Sequence, residues 1–359
     1  MAERIPVFLL TGFLGAGKTT LLNRMVAGRR DTALIINEFG LVAVDHDLVR
    51  QGQERPVVTT TGCICCSRGS DLRSSLDQLL QGRRDGSLPA FSRVIVETTG
   101  LADPAPIINS LIPGGLPAQA LRDHAVARAF RLASVIAAVD VQGIGAALAA
   151  HPESLRQIAF ADHVVLTHTD LAAAGDWPER MRAINPALRL HDGAAPGFDP
   201  AALLVPGSYT AFGKGEAVGD WLATETAPHP HGADLSDLNR HGAVVAVPLT
   251  GGPALPRAAW QSYLQELGRL PGLLRLKGLL ATSDHPDRPL IAHGVGHRLH
   301  PLIQGAGWPP GRPETRPETR LVVIGTDLDP ATLRRRFAAL AGPALSPGLL
   351  AGPLPRLGG

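Results

Sequence analysis

Near its start the chain reads Gly12-Phe13-Leu14-Gly15-Ala16-Gly17-Lys18-Thr19. A continuous apolar run precedes these residues at positions 5–10, and apolar residues at helical spacing follow them up to residue 27. A glycine-rich turn between a strand and a helix lets consecutive backbone N–H groups surround a phosphate at the helix N-terminus. The sequence therefore predicts a phosphate-binding loop, called the P-loop below, and the two flanking elements disfavour an incidental glycine turn.

The residue types within the P-loop assign roles to individual positions. Lys18 is expected to pair with the β- and γ-phosphate oxygens, which makes it a candidate catalytic residue, and Thr19 is expected to bind Mg²⁺. The other positions expected to contact the nucleotide are Gly12, Gly15, Ala16, Gly17 and Thr20.

Further short apolar runs predict an α/β fold of the P-loop type. These runs are typical of buried strands, and the segments between them are long enough for crossover helices, so a mostly parallel sheet is expected. They occupy residues 33–36, 93–96, 133–139 and 163–166. We therefore predict a nucleotide-binding domain over residues 1–210.

The rest of the chain has a different character and predicts a second, smaller α+β domain. Turn-forming residues with little periodicity indicate a linker over residues 211–240. Beyond it, residues 241–345 show two strand patterns, an amphipathic helix and a second helix that starts after Asp329. The final segment, residues 346–359, is rich in Gly, Pro and Leu and is expected to be a flexible tail.

Composition restricts the class of protein. The 359 residues include 34 Lys+Arg and 32 Asp+Glu, a net charge of +2, which argues against a nucleic-acid-binding surface as the organising feature. The longest apolar stretch, residues 129–150, is interrupted by Arg131 and Asp140, so no membrane span is predicted. The N-terminus lacks a signal-peptide pattern, and a cytoplasmic protein is expected. The composition is compatible with a homo-oligomer as well as with a monomer.

A second motif follows the apolar run at residues 93–96. It places Glu97 at the carboxyl end of a strand and Gly100 three residues later. An acid at that point can hold Mg²⁺, and the glycine can offer its N–H to the γ-phosphate. Both residues are therefore candidate catalytic residues, although Glu97 as a simple strand-end acid remains the alternative.

The run Leu166-Thr167-His168-Thr169-Asp170 resembles the guanine-reading signature Asn-Lys-x-Asp. Only Asp170, which would accept hydrogen bonds from the base, keeps the signature residue, and an incidental helix cap is the alternative. Thr167 and His168 replace the Asn and the Lys. We expect GTP to be preferred over ATP.

All three cysteines lie within four positions, at Cys63, Cys65 and Cys66. Disulfides join segments that are distant in sequence, so this cluster instead favours a site for a soft metal ion. Glu38, in the stretch that normally forms the first switch loop of a GTPase, is a further candidate ligand. Buried small residues or a redox switch remain alternatives for the thiols, and an exposed loop acid remains the alternative for Glu38.

Taken together, these motifs resemble the CobW family of metallochaperone GTPases, in particular its zinc-associated branch. The resemblance is carried by the P-loop and by Asn37-Glu38-Phe39-Gly40, Gly62-Cys63-Ile64-Cys65-Cys66, Glu97-Thr98-Thr99-Gly100-Leu101-Ala102-Asp103-Pro104, Leu274-Arg275-Leu276-Lys277-Gly278 and His293-Gly294-Val295-Gly296. It implies Mg²⁺-dependent GTP hydrolysis coupled to delivery of Zn²⁺ or Co²⁺ to a client metalloprotein.

Two other functions remain compatible with the sequence. A P-loop kinase could act on a small molecule with the second domain as a lid, although this leaves the cysteines without a role. A metal-storage or redox-sensing protein could use its nucleotide site only for structure. The first predicts a phosphorylated product, and the second predicts no phosphate release from GTP.

Overall fold

The structure of the chain is a computed structural model that describes residues 4–29, 31–36, 57–60, 70–111, 121–205, 244–305, 307–308 and 318–340. No helix within these ranges is long and apolar enough to cross a membrane.

The first part of the chain forms a parallel sheet covered by helices. Within the described residues the sheet has seven strands: β1 (Ile5–Gly12), β2 (Thr32–Ile36), β3 (Val57–Thr60), β4 (Arg93–Glu97), β5 (Phe130–Asp140), β6 (His163–Thr167) and β7 (Arg189–Asp192). The helices are α1 (Lys18–Val26), α2 (Ser70–Asp85), α3 (Pro104–Leu111), α4 (Leu121–Ala129), α5 (Ile144–Ala150), α6 (Pro152–Phe160) and α7 (Trp177–Ile184), and a 3₁₀ turn spans Pro200–Leu204.

The strand order is β3-β2-β4-β1-β5-β6-β7, and every pairing is parallel. β1 is therefore the central strand, between β4 and β5. Its side chains from Val7 to Leu10 are fully buried, as a strand covered by helices on both faces requires. Because all strands are parallel, the carboxyl ends of β1, β4, β5 and β6 meet at one edge of the sheet.

The second part of the chain forms a separate antiparallel sheet. Its strands are β8 (Val244–Gly251), β9 (Leu273–Leu280), β10 (Leu290–Val295), β11 (Arg298–Leu299), β12 (Ile303–Gln304) and β13 (Thr319–Thr326), in the order β11-β10-β9-β13-β8 with β12 paired to β10. Within the described residues of this part, two helices accompany the sheet, α8 (Arg257–Leu267) and α9 (Pro330–Ala339).

The core of this second part lies between its sheet and α8. Trp260 and Tyr263 of α8 are almost fully buried and pack with Leu276 and Leu280 of β9. The start of α9 is capped by Asp329, whose side chain accepts a hydrogen bond from the Ala331 N–H at 3.0 Å.

The two parts pack against each other through the helices of the first and the sheet of the second. α3 contacts β10, α6 contacts β9 and α7 contacts β8. Apolar side chains of the second sheet, including Leu274 and Val295, belong to the same buried cluster as the core of the first part. The packing also buries charged groups, described below.

The predicted fold class is confirmed: a P-loop-type parallel sheet is followed by a smaller α+β unit. The predicted strands at 5–10, 33–36, 93–96, 133–139 and 163–166 correspond to β1, β2, β4, β5 and β6. The sequence analysis missed β3, β7, β9, β10, β11 and β12. The predicted linker, residues 211–240, and the predicted tail, residues 346–359, lie outside the described residues.

Candidate nucleotide site

The P-loop connects the carboxyl end of β1 to the first turn of α1. Gly17 immediately precedes this helix with φ 77°, a left-handed conformation that glycine adopts without strain. The first N–H groups of a helix have no partner within the helix and carry the positive end of its dipole. The N-terminus of α1 is therefore ready to receive a phosphate at the carboxyl edge of the sheet.

The predicted nucleotide-binding positions surround this turn. Gly12 ends β1, and a Cβ there would lie 2.3 Å from the carbonyl oxygen of Ala138 on β5. Ala16 is buried, while Gly15 and Thr20 are exposed. The loop therefore has one side packed against the sheet and another open to solvent.

Lys18 and Thr19 both direct polar groups into the site. The Lys18 ammonium donates to the Phe13 carbonyl at 2.8 Å, so its side chain lies across the loop. Burial lowers the pKa of Lys18 from its usual value, and the charge of Glu97 opposes this change. The partial desolvation of Lys18 strengthens its attraction to an anion, and the Glu97 charge favours the protonated form of the ammonium.

Thr19 and Glu97 come from elements 78 positions apart in the sequence, yet the Thr19 hydroxyl donates to Glu97 Oε1 at 3.0 Å. Glu97 is only 5% exposed at the end of β4. Two oxygens that occupy adjacent corners of a Mg²⁺ octahedron with bonds of 2.0–2.1 Å lie about 2.9 Å apart. The hydroxyl and carboxylate oxygens therefore fit a magnesium ion with little rearrangement.

Gly100 lies directly against the P-loop. A Cβ at this position would be 2.5 Å from the Leu14 backbone nitrogen, so the close approach requires glycine. The segment from Thr98 to Asp103, called the Gly100 loop below, connects β4 to α3. At its start, Thr98 donates from its backbone N–H to the Leu10 carbonyl at 2.9 Å and from its hydroxyl to Thr11. The Gly100 loop is therefore joined to β1 as well as to the P-loop.

The end of β6 contacts the P-loop through Thr167. Its hydroxyl donates to the Ala16 carbonyl at 3.1 Å, so Thr167 ties the candidate base-binding segment to the phosphate-binding turn. His168 has φ 58° and its Nδ1 lies 2.9 Å from Asp140 Oδ1 at the end of β5. Asp170 is exposed two residues further on. The sequence analysis did not identify Asp140 as a residue of this site, because its contact with His168 forms only when β5 and β6 pair.

A cavity of about 270 Å³ lies between the P-loop and helices α5 and α6. Its walls include Phe13 and Leu14 of the loop together with Ala147 and Ile158 of the helices, and they are mostly apolar. A triphosphate requires backbone N–H groups and cations. The turn before α1 therefore meets the requirements of a phosphate site better than this cavity does.

The proposed metal ligands Cys63, Cys65, Cys66 and Glu38 lie outside the described residues. Within the described ranges, no cluster of three or more His, Cys, Asp or Glu side chains is arranged to hold a metal ion. The metal-binding prediction thus stays a prediction based on the sequence.

Comparison with protein-family models identifies both parts of the chain. Residues 6–192 match the CobW/HypB/UreG nucleotide-binding domain, and residues 245–341 match the cobalamin synthesis protein CobW C-terminal domain. The chain belongs to the CobW family.

Individual CobW relatives are similar over almost their whole length. The chain is 32% identical to the zinc chaperone YjiA of Escherichia coli, over 94% of this chain and 98% of that protein. It is 28% identical to the zinc chaperone CobW of Pseudomonas aeruginosa, over 93% and 91% of the two chains. The Zn(II)-bound crystal structure of the E. coli YjiA GTPase superposes with a TM-score of 0.64 at 24% identity, over 94% of this chain and 99% of that one, which shows a shared fold.

Proposed function

We propose that this CobW family member is a GTPase that binds Zn²⁺ through Cys63, Cys65 and Cys66 and delivers it to client metalloproteins. The observation that carries the GTPase part is the contact of Thr19 with Glu97 beside Lys18, because it assembles the Mg²⁺ and phosphate ligands of a P-loop GTPase. The zinc part is supported by the cysteine cluster and by relatives that are named zinc chaperones.

Phosphate release requires the charge that develops on the γ-phosphate to be stabilised. The backbone N–H groups of the P-loop and Lys18 bind the β- and γ-phosphates. Thr19 and Glu97 would hold a Mg²⁺ ion, which would supply positive charge to the phosphate oxygens. Gly100, which lies against the P-loop at Leu14, would offer its N–H to the γ-phosphate as a further donor.

Guanine selectivity is assigned to Asp170. Its carboxylate would accept hydrogen bonds from the base, and Thr167 fixes the strand end from which Asp170 extends. The His168 imidazole, oriented by Asp140, would take the place of the usual lysine stem against the base. We therefore propose a preference for GTP over ATP.

The metal site would consist of the three cysteine thiolates with Glu38 as a further ligand. Thiolates prefer Zn²⁺, and Co²⁺ is the alternative cargo. In the sequence these residues lie between β2 and β4, the strands that lead into the switch segments of a P-loop GTPase. If the nucleotide alters the ligand arrangement, then metal and nucleotide affinities change each other by the same factor. Free thiols also require a reducing compartment, so we propose that the protein acts in the cytoplasm.

The test is steady-state phosphate release from GTP and from ATP, with and without Zn²⁺. The wild-type protein, the Lys18→Ala variant and the Cys65→Ser variant are compared. We expect release from GTP to exceed release from ATP, to be lost in Lys18→Ala and to respond to Zn²⁺ only when Cys65 is present. No release from either nucleotide contradicts the GTPase proposal, and phosphate transfer to an added metabolite supports a kinase instead.

A further inference from the structure

We propose that Gln157 on α6 is a positioning residue for GTP hydrolysis, because it holds the Gly100 loop in the place where the Gly100 N–H meets the γ-phosphate. The inference rests on the proposed GTPase function. It concerns a residue that lies outside every nucleotide-binding motif in the sequence.

The side chain of Gln157 is 2% exposed and its amide nitrogen makes two hydrogen bonds to the Gly100 loop. Nε2 donates to the carbonyl of Gly100 and to the carbonyl of Ala102, both at 3.1 Å. A carboxamide has two N–H donors, and both are used here. Loss of the amide would leave two buried carbonyls without these donors, which is costly in a buried loop.

The opposite side of the loop faces the P-loop. Gly100 approaches the Leu14 nitrogen too closely for any larger residue, so the loop has little space to move towards the P-loop. Gln157 restricts movement away from it. The Gly100 N–H is therefore held between the P-loop on one side and α6 on the other.

Helix α6 is itself fixed at its far end, one turn beyond Gln157. Arg275 of β9 donates from Nη1 to the carbonyls of Phe160 and Ala161, at 2.8 and 2.9 Å, and from Nη2 to Asp162 Oδ1 at 2.7 Å. The Arg275 side chain is 4% exposed. The second sheet thus supplies a rigid support for the helix that carries Gln157.

A further ion pair reinforces the same connection at the surface. Arg156, the neighbour of Gln157, lies 2.7 Å from Asp103, which also accepts a hydrogen bond from the Ala105 N–H at the start of α3. Asn109 near the end of α3 donates to the Val295 carbonyl of β10 at 3.4 Å. Both helices that flank the Gly100 loop therefore end on the second sheet.

The test uses the full chain with Gln157→Met, which has a similar volume but no donors. A small displacement of a group in the transition state can lower a rate by a large factor. We expect the single-turnover rate of GTP hydrolysis to fall by about ten- to a hundredfold. The affinity for GDP should stay within about twofold of wild type, since GDP lacks the γ-phosphate that faces Gly100.

Two further variants separate positioning from packing. Ser154→Ala is the matched control, since Ser154 lies on the same helix, is equally buried at 2% and its hydroxyl has no hydrogen-bond partner in the described structure. It should hydrolyse GTP at the wild-type rate. Gln157→Asn keeps the amide on a shorter side chain, should give an intermediate rate, and provides the test if Gln157→Met does not fold.

The outcomes are distinguishable from failure of the proposed function. A wild-type protein that releases no phosphate contradicts the GTPase proposal itself. A wild-type protein that hydrolyses GTP while Gln157→Met retains its rate within about twofold overturns the positioning role. Equal losses of rate and of GDP affinity in Gln157→Met also overturn it, because they indicate a general disturbance of the site.

Discussion

Polar groups are concentrated in two regions of the molecule, and their arrangements differ. At the carboxyl edge of the parallel sheet, Lys18, Thr19 and Gly100 surround a helix N-terminus whose N–H groups lack intrahelical partners. At the junction between the two sheets, Arg275 and Asp162 are buried against each other and against backbone groups.

The difference indicates that the first region is suited to bind a ligand and that the second holds the two sheets together. The first region includes the first N–H groups of α1, which have no acceptor within the helix, and the second uses its donors on protein acceptors. Helix α6 connects them, because Gln157 contacts the Gly100 loop and, one turn further on, the C-terminal end of the helix accepts hydrogen bonds from Arg275. We infer that the rigid junction maintains the geometry of the site that binds the nucleotide.

The largest expected effect is on catalysis at the first region. Lys18→Ala removes the cation that pairs with the β- and γ-phosphates, and we expect kcat/KM for GTP to fall by about a thousandfold. The melting temperature should change little, because Lys18 makes its contact within the P-loop. Phosphate release and thermal unfolding measure the two effects.

The control for this prediction is Arg180→Met, which removes a half-buried cation of α7, where Arg180 pairs with Asp176 and stacks on Trp177. Its activity should remain within about twofold of wild type. If Lys18→Ala and Arg180→Met behave alike, the assignment of the first region as the phosphate site is wrong.

The second prediction concerns the stability of the junction. Arg275→Met removes one partner of a buried ion pair and leaves Asp162 with the Lys277 ammonium at 3.6 Å and the Val135 N–H. The free energy of unfolding should fall by about 3–5 kcal/mol, measured by urea denaturation. Arg288→Met, which removes an exposed partner of Asp287, should change it by less than about 0.5 kcal/mol.

The sequence analysis anticipated the first region far better than the second. The P-loop is local, since eight consecutive residues specify its turn and the start of the following helix. Glu97 and Gly100 were also identified from their position after a buried strand. Thr19 and Glu97 come into contact because β1 and β4 are neighbours, and a parallel sheet of this type implies that pairing.

The junction could not be predicted because it depends on how two sheets dock. Arg275 and Lys277 alternate with leucines, a pattern typical of a strand with one polar face, but the pattern contains no information about Asp162. Gln157 lies in an ordinary amphipathic helix. Strands β3 and β7 were missed because they are only four residues long and carry polar side chains at their ends.

The third prediction is a pH dependence of the junction. Burial lowers the pKa of His300 to about 4. It also lowers that of His163 to about 4, where Asp162 opposes the change and His191, Arg189 and Lys277 add to it. Between about pH 6.5 and about pH 4 these two histidines stay neutral in the folded protein. In the unfolded chain they bind protons over the same range, because an exposed histidine has a pKa of about 6.5.

Stability should therefore be lost as the pH falls from about 6.5 to about 4, by up to about 1.4 kcal/mol per pH unit for each histidine. Asp162 does not contribute in this window. Burial raises its pKa, but Arg275 and Lys277 outweigh this effect and hold it below its usual value. Urea denaturation between pH 4.5 and 7.5 measures the slope, and His300→Gln should reduce it. If the slope of the free energy of unfolding against pH is unchanged in His300→Gln, His300 does not contribute to the pH dependence.

The smallest expected effect lies between the base-binding segment and the P-loop. Thr167→Val keeps the shape of the side chain but leaves the Ala16 carbonyl without its donor at 3.1 Å. We expect GTP affinity to fall by about fivefold, equivalent to about 1 kcal/mol. Nucleotide titration checks this, with Thr169→Val as a control that leaves the contact of Thr167 with the P-loop in place. Equal losses of GTP affinity in the two variants would show that the hydrogen bond from Thr167 to Ala16 has no specific effect.

The central claim is that a nucleotide held at the P-loop governs the metal carried by the cysteine cluster. The most direct measurement is the Zn²⁺ dissociation constant of the full chain, determined by competition with a chromophoric chelator, once with GDP and once with a non-hydrolysable GTP analogue. The account predicts affinities that differ by at least about fivefold, with the difference lost in Lys18→Ala. Equal Zn²⁺ affinities in the two nucleotide states would contradict it.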